Sequence, residues 1–93
     1  MDGIFKFKYD GDSMTWNTGV SIPSGAVLVV DPQADRKSGR IAIADHQGYP
    51  VIGALSHVGA STYLRPTNQQ YPAVEIDPAS IVGVVTLIEI QAP

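Results

Sequence analysis

The stretch Asp10-Gly11-Asp12-Ser13-Met14-Thr15 carries one serine out of a predicted strand. In residues 4–9, directly before it, aromatic side chains alternate with lysines at the period of a half-buried strand. Asp10, Gly11 and Asp12 are turn-forming residues, so the strand is expected to end there. Ser13 is therefore expected at the mouth of the sheet with its hydroxyl near solvent, although an ordinary turn is the simpler interpretation of these residues alone.

The rest of the chain is predicted to consist of strands joined by turns. Residues 81–90 form the longest apolar stretch, and their density of Val, Ile and Thr favours a strand over a helix. One short helical turn is expected within residues 15–20. Further strands are predicted at residues 26–30, 40–44, 49–57, 61–65 and 74–76. The spacing of these short strands predicts a mainly β domain, built as a small barrel or a folded-over sheet.

Composition excludes several classes of protein. The 93 residues suffice for a single domain, residues 1–93, with its own core. The net charge is −3 and the six basic residues are scattered, so the chain has no basic patch for nucleic acid. It has no cysteine for a disulfide or a thiolate metal site, and no cofactor is expected. Without a signal peptide or an apolar run of roughly 20 residues, the chain is expected to be soluble and cytoplasmic, with no membrane partner.

Several short motifs occur in a fixed order along the chain. They are Gly11-Asp12-Ser13-Met14, Ile22-Pro23-Ser24-Gly25, Val29-Val30-Asp31-Pro32, Gly39-Arg40-Ile41, Leu64-Arg65-Pro66-Thr67-Asn68 with Tyr71-Pro72, and Ile81-Val82-Gly83-Val84-Val85. Residues 7–88 thereby resemble the C-terminal domain of LexA-like and phage-repressor proteins, the S24 serine peptidase family, which shares its fold with signal peptidases. The resemblance implies a compact, mainly β fold of strongly bent sheets that form a partial barrel. It also implies an N-terminal helix-turn-helix DNA-binding domain, which this chain does not contain.

In active members of that family, the serine of the Gly-Asp-Ser-Met motif is a nucleophile and a lysine on a later strand is its general base. A serine hydroxyl needs a base to take its proton, and a lysine can do so only when burial has lowered its pKa enough to leave it neutral. Ser13 matches the nucleophile. Counting back from Leu64-Arg65-Pro66 places the lysine at Gly53, or at Ile52 or Ala54 if the register shifts by one. None of these side chains can accept a proton.

No other residue is a good substitute for the missing base. Lys6, Lys8 and Lys37 are expected to be solvated. His57 is a possible base, but it lies four residues beyond position 53, about 13 Å along a strand. His46, in a predicted hairpin turn, is expected at the surface. Self-cleavage in the family also needs a small residue followed by glycine in an upstream linker, whereas only Asp2-Gly3 precedes Ser13 here, so the chain is expected not to be an enzyme.

The last strand is the candidate interface between copies of the chain. Ile81, Val85 and Leu87 are expected on one face of it, and the remaining apolar residues on the other. A small domain has difficulty covering both faces of a terminal strand, and an exposed apolar edge favours pairing with another chain. The predicted interface residues are Val84, Thr86, Leu87, Ile88 and Ile90. The alternative, that both faces are buried within one protomer, stays open.

These observations predict a non-catalytic dimerisation or oligomerisation domain of a phage or prophage repressor. It would form a homodimer or a higher oligomer and would act on operator DNA only through the missing N-terminal domain, with an antirepressor as a possible further partner. The first alternative is a self-cleaving S24-type peptidase that lost its base in this sequence. The second is a small β module that binds peptides as a monomer.

Overall fold

The computed structural model describes residues 3–11, 22–68 and 70–90, and within these ranges seven strands form one antiparallel sheet. The strands are β1 (Phe5–Lys8), β2 (Val27–Asp31), β3 (Ile41–His46), β4 (Tyr49–Val58), β5 (Ser61–Arg65), β6 (Val74–Ile76) and β7 (Ile81–Glu89). Their order in the sheet is β1-β2-β7-β3-β4-β5-β6. The mainly β class is thus confirmed, whereas Ser13 and the helical turn predicted within residues 15–20 lie outside the described residues.

The connections between strands follow from turn-forming residues. Gln47 and Gly48 join β3 to β4, with φ angles of 54° and 85°. Two successive positive φ angles are the signature of a type I′ turn, whose twist matches that of an antiparallel hairpin. A single turn of 3₁₀ helix, Pro78–Ser80, precedes β7, and the Asp77 side chain caps it by accepting a hydrogen bond from the Ala79 N–H at 3.0 Å.

The sheet bends around a first core on one of its faces. This core consists of buried side chains from β2, β3, β4 and β7 together with Tyr9, Ile22 and Ala26, and the half-buried Phe5 and Phe7 of β1 pack against it. Phe7 and Ile43 therefore meet in one core although three strand spacings of about 4.8 Å separate β1 from β3 in the sheet order. Such closure is consistent with the expected partial barrel.

A second core lies on the opposite face of the sheet. It contains Leu55, Leu64 and Ile76 from the last strands of the sheet order, together with the small side chains Ala42 and Ala44. Alternation along β3 explains the division, because Ile43 points into the first core while Ala42 and Ala44 point into the second. β3, β4 and β7 contribute to both cores.

Two bulges in β7 change which of its residues share a face. Val29 pairs with Leu87 and Val30 with Val85, so Thr86 is an extra residue on the β2 side. Ile43 pairs with Gly83 and Ala44 with Ile81, so Val82 is an extra residue on the β3 side. As a result Ile81 and Val84 belong to the second core, whereas Val85 and Ile88 contact the first. The face assignment from simple alternation is therefore wrong.

Val84, one of the five predicted interface residues, lies in the interior of the sheet. Val84 has no exposed surface within a single protomer and pairs with Ala42 on one side and Asp31 on the other. The sheet order places β7 between β2 and β3, so this part of the last strand in sequence is an interior strand of the sheet. Gly83 permits the close approach of β2, because a Cβ there would lie 2.6 Å from Val30 Cγ1.

Within the described ranges, no helix is long and apolar enough to span a membrane.

Candidate functional site

The strand that leads to the serine motif is held firmly as far as Gly11. The Tyr9 N–H donates to the Ala26 carbonyl at 2.9 Å, and the Tyr9 carbonyl accepts from the Gly25 N–H at 2.7 Å. Gly11 then donates its N–H to Ser24 Oγ at 3.2 Å. These bonds join the Gly-Asp-Ser-Met motif to the Ile-Pro-Ser-Gly motif, two of the segments on which the family resemblance rests.

A cavity of about 420 Å³ opens beside this strand end. Apolar side chains provide most of its wall, and Lys8 and Asp10 are its charged residues. Its other lining residues are Phe7, Tyr9, Ile43, Pro50, Val51, Ile52, Pro66, Tyr71, Pro72 and Val74. A smaller cavity of about 230 Å³ shares Phe7, Ile43 and Pro50 with it. The gap in the partial barrel between β1 and the β3–β4 hairpin is thus an apolar groove that reaches Asp10.

Main chain from the neighbouring strand β5 fills the space that a side chain at position 53 would need, and position 53 is where the resemblance places the base. A Cβ built on Gly53 would lie 2.9 Å from the Arg65 amide nitrogen and 3.0 Å from the carbonyl carbon and oxygen of the same residue. Real Cβ atoms essentially never approach a backbone atom below 3.0 Å, so a larger residue here requires β5 to move. Glycine at position 53 therefore permits the close contact between β4 and β5.

The two neighbouring positions also lack a proton acceptor. Ile52 is buried in the first core and lines the larger cavity. Ala54 is half-buried and pairs with Arg65 of β5. If the count from Leu64-Arg65-Pro66 is shifted by one residue, the predicted base position is Ile52 or Ala54, and each has a hydrocarbon side chain.

His57 has hydrogen-bond partners for both ring nitrogens. Nε2 lies 3.0 Å from the Arg36 carbonyl oxygen, which can only accept, so Nε2 carries a proton. In the neutral ring, Nδ1 then accepts from the Thr62 hydroxyl at 3.2 Å. The backbone N–H of His57 also donates to Ser38 Oγ at 3.2 Å. His57 thus holds the loop at residues 36–38 against β4 and β5. Ser13 lies outside the described residues, so the prediction that His57 could act as its base stays untested.

The lysines are exposed, as predicted. Lys6 Nζ lies 3.3 Å from Glu89 Oε1, and Lys37 Nζ lies 3.6 Å from Asp35 Oδ2. Lys8 is exposed at the rim of the larger cavity. His46, which is expected at the surface, is half-buried at the end of β3. In the part of the chain that the structure describes, no three His, Asp or Glu residues are grouped as a metal site would require.

The C-terminal half of β7 extends beyond its neighbour on one side. β2 pairs with β7 as far as Glu89, but among the described residues β3 pairs with it no further than Val84. Leu87 is 54% exposed and Ile90 68% exposed, and Thr86 is exposed as well. Ile88 is half-buried against the first core. We call residues 86–90 the β7 edge; it contains four of the five predicted interface residues.

Residues 2–86 match the family described as Peptidase S24-like, and the chain belongs to this family. It is similar to the HTH-type transcriptional regulator for conjugative element SXT of Vibrio cholerae, with 41% identity over 88 residues, which are 90% of this chain and 41% of the relative. It is also similar to Repressor protein C2 of Salmonella phage P22, with 36% identity over 84 residues, 87% of this chain and 39% of the relative. The chain thus spans about two fifths of the length of these relatives.

Proposed function

We propose that this chain is a non-catalytic self-association domain of a transcriptional repressor of the kind found in phages and conjugative elements. The family and the names of the relatives support a repressor. The share of those relatives that the chain spans leaves room for a separate N-terminal helix-turn-helix domain. In this proposal the full-length protein works in the cytoplasm, and only the N-terminal domain contacts operator DNA.

The observation that carries the proposal is the β7 edge. Its backbone N–H and C=O groups on the side away from β2 have no partner strand among the described residues, and such an edge is a template for pairing with another chain. Two copies related by a twofold axis can pair their β7 edges antiparallel, since this arrangement is complementary to itself. The exposed side chains of Leu87 and Ile90 add apolar surface for burial in such a dimer.

Self-association can control DNA affinity without any DNA contact by this domain. When two DNA-binding domains are linked, binding of the first places the second at a high effective concentration near its own half-site. The net charge of −3 suits a domain that does not itself grip phosphates.

The absence of catalysis is proposed from position 53. Ser13 would need a neighbouring base. The position at which the resemblance puts that base holds glycine, which packs against the Arg65 main chain. Relief of repression would then come from a separate protein, such as an antirepressor, instead of from self-cleavage.

Sedimentation equilibrium over a wide range of concentrations tests the proposal. We expect the chain to self-associate, and we expect Leu87→Glu to raise the dissociation constant at least tenfold, about 1.4 kcal/mol. Val58→Glu is the matched control, because Val58 is 55% exposed and lies on β4, away from the β7 edge. A wild-type chain that stays monomeric throughout, or equal losses of association in both variants, would contradict the proposal.

A peptidase that lost its base in this sequence is the second candidate, favoured by the apolar cavity beside Asp10. Burial in such a cavity would lower the pKa of a lysine. The test is Gly53→Lys in the full-length protein, with self-cleavage followed by electrophoresis and folding checked by circular dichroism. The Gly53→Lys, Ser13→Ala double variant is the control. Cleavage by a folded Gly53→Lys protein, but not by the double variant, would favour the peptidase.

A further inference from the structure

The ion pair between Lys6 and Glu89 spans a whole strand. Lys6 is on β1 and Glu89 is on β7, and the two strands flank β2 on opposite sides. Lys6 pairs in register with Val29, and Glu89 with Val27. Because residues that are directly paired in antiparallel strands lie on the same face, all four side chains share the face opposite the first core.

This face is apolar at its centre and charged at its sides. Val27 and Val29 are half-buried and Leu87 is exposed, and none of the three belongs to either core. Lys8 pairs with Val27 on the β1 side of the same face. We call Lys6, Lys8, Val27, Val29, Leu87 and Glu89 the open sheet face.

The side chains of Lys6 and Glu89 must reach across β2 to come within 3.3 Å of each other. Their strands are two spacings apart, about 9.6 Å, which is more than either side chain can cover alone. The ion pair therefore passes over the β2 segment that carries Val27 and Val29. Both partners remain in contact with water, with 66% of the Lys6 side chain and 38% of the Glu89 side chain exposed.

We propose that the Lys6–Glu89 ion pair is a strap that prevents the open sheet face from packing against another sheet, and thereby directs a second copy of the chain to the β7 edge. A flat apolar partner on this face would have to remove both charges from water, which is unfavourable even for a paired lysine and glutamate. Leu87 and Glu89 belong to both surfaces, but a second copy that pairs with the β7 main chain lies beside β7 on the side away from β2, so it does not stack over the ion pair. A lysine on an exposed sheet is a common protection against unwanted sheet association. This inference rests on the proposed function, because it concerns how the same second copy binds, either beside β7 or stacked on the open sheet face.

The test replaces the strap by apolar side chains of similar length. We expect the Lys6→Met, Glu89→Leu double variant to form assemblies larger than those of the wild type, with an additional association step at least tenfold tighter than any seen in the wild-type chain by sedimentation equilibrium. The charge-swapped variant Lys6→Glu, Glu89→Lys restores the strap and should sediment like the wild type.

A second exposed ion pair, between Lys37 and Asp35, offers a matched control. Lys37→Met, Asp35→Leu makes the same change in charge and introduces the same two side chains at the Lys37–Asp35 pair, which lies in the loop between β2 and β3. This control should sediment like the wild type. The strap is refuted if the Lys6→Met, Glu89→Leu variant sediments like the wild type. It is also refuted if the control or the charge-swapped variant forms assemblies as large as those of the Lys6→Met, Glu89→Leu variant. A monomeric wild type would contradict the proposed function alone, because the strap is still tested by whether the apolar double variant gains association.

Discussion

Gly53 combines a proposed role with an observed one, because the resemblance puts the missing base at this position and the structure shows a close packing contact there. The family resemblance identifies the position as that of a base, and the structure shows Arg65 main-chain atoms where a side chain would begin. Sequence alone was enough to propose that the base is missing, because the proposal required only a count from the Leu64-Arg65-Pro66 motif. It could not predict the close strand contact, which depends on the local path of β5.

We expect Gly53→Ala to destabilise the domain. The added Cβ must displace backbone, which is stiffer than a side chain, and overpacking of this kind costs about 1–3 kcal/mol. For a domain of this size, each 1 kcal/mol lowers the melting temperature by roughly 4–8 °C. Thermal unfolding followed by circular dichroism measures the effect.

Gly3→Ala is the control for this prediction, since a Cβ on Gly3 meets no atom within 4 Å. Equal melting temperatures for the wild type and Gly53→Ala would show that β5 yields without cost.

Strands and turns were the best predicted elements. β5 and β6 have the predicted bounds, and β4 is one residue longer than predicted, because Gly and Pro mark their ends. The faces of β7 were mispredicted for a definite reason. Alternation assumes an unbroken ladder, and nothing in Ile81-Val82-Gly83-Val84-Val85-Thr86 reveals that two of these residues are left out of the pairing.

The β3–β4 hairpin should become more stable when Gln47 is replaced by asparagine. Gln47 has a φ of 54°, a region in which asparagine is enriched and most other residues are disfavoured. We expect Gln47→Asn to raise the free energy of unfolding by up to about 1 kcal/mol, measured by urea denaturation. Gln33→Asn, at an exposed loop position where no positive φ is found, should leave it unchanged. A decrease for Gln47→Asn would show that the Gln47 side chain has a stabilising role of its own.

At the scale of the molecule, one sheet serves two cores that share β3, β4 and β7. The close spacing of many short strands predicted a mainly β domain. The division of apolar residues between two faces emerges only from the strand order, in which the last strand of the sequence lies near the middle of the sheet. Partner surfaces were hardest to predict, because exposure depends on how far each strand extends past its neighbour.

Because the cores share strands, we expect the domain to unfold in a single transition. Leu28 of the first core and Leu64 of the second have no exposed surface. Leu28→Ala and Leu64→Ala should each lower the free energy of unfolding by about 2–5 kcal/mol. Urea denaturation followed by far-UV and near-UV circular dichroism should give coincident curves for both variants. Separate transitions for the two probes would show that the cores unfold independently.

The two bulged residues of β7 also bear on how related chains can differ in length. Val82 has no partner in the β3 ladder and Thr86 has none in the β2 ladder, so the residues around each continue to alternate as if it were missing. A homologue could gain or lose a residue at either place without turning any core side chain toward water. Alignment gaps within this strand should therefore fall at positions 82 and 86, and a gap elsewhere would put every later side chain on the wrong face.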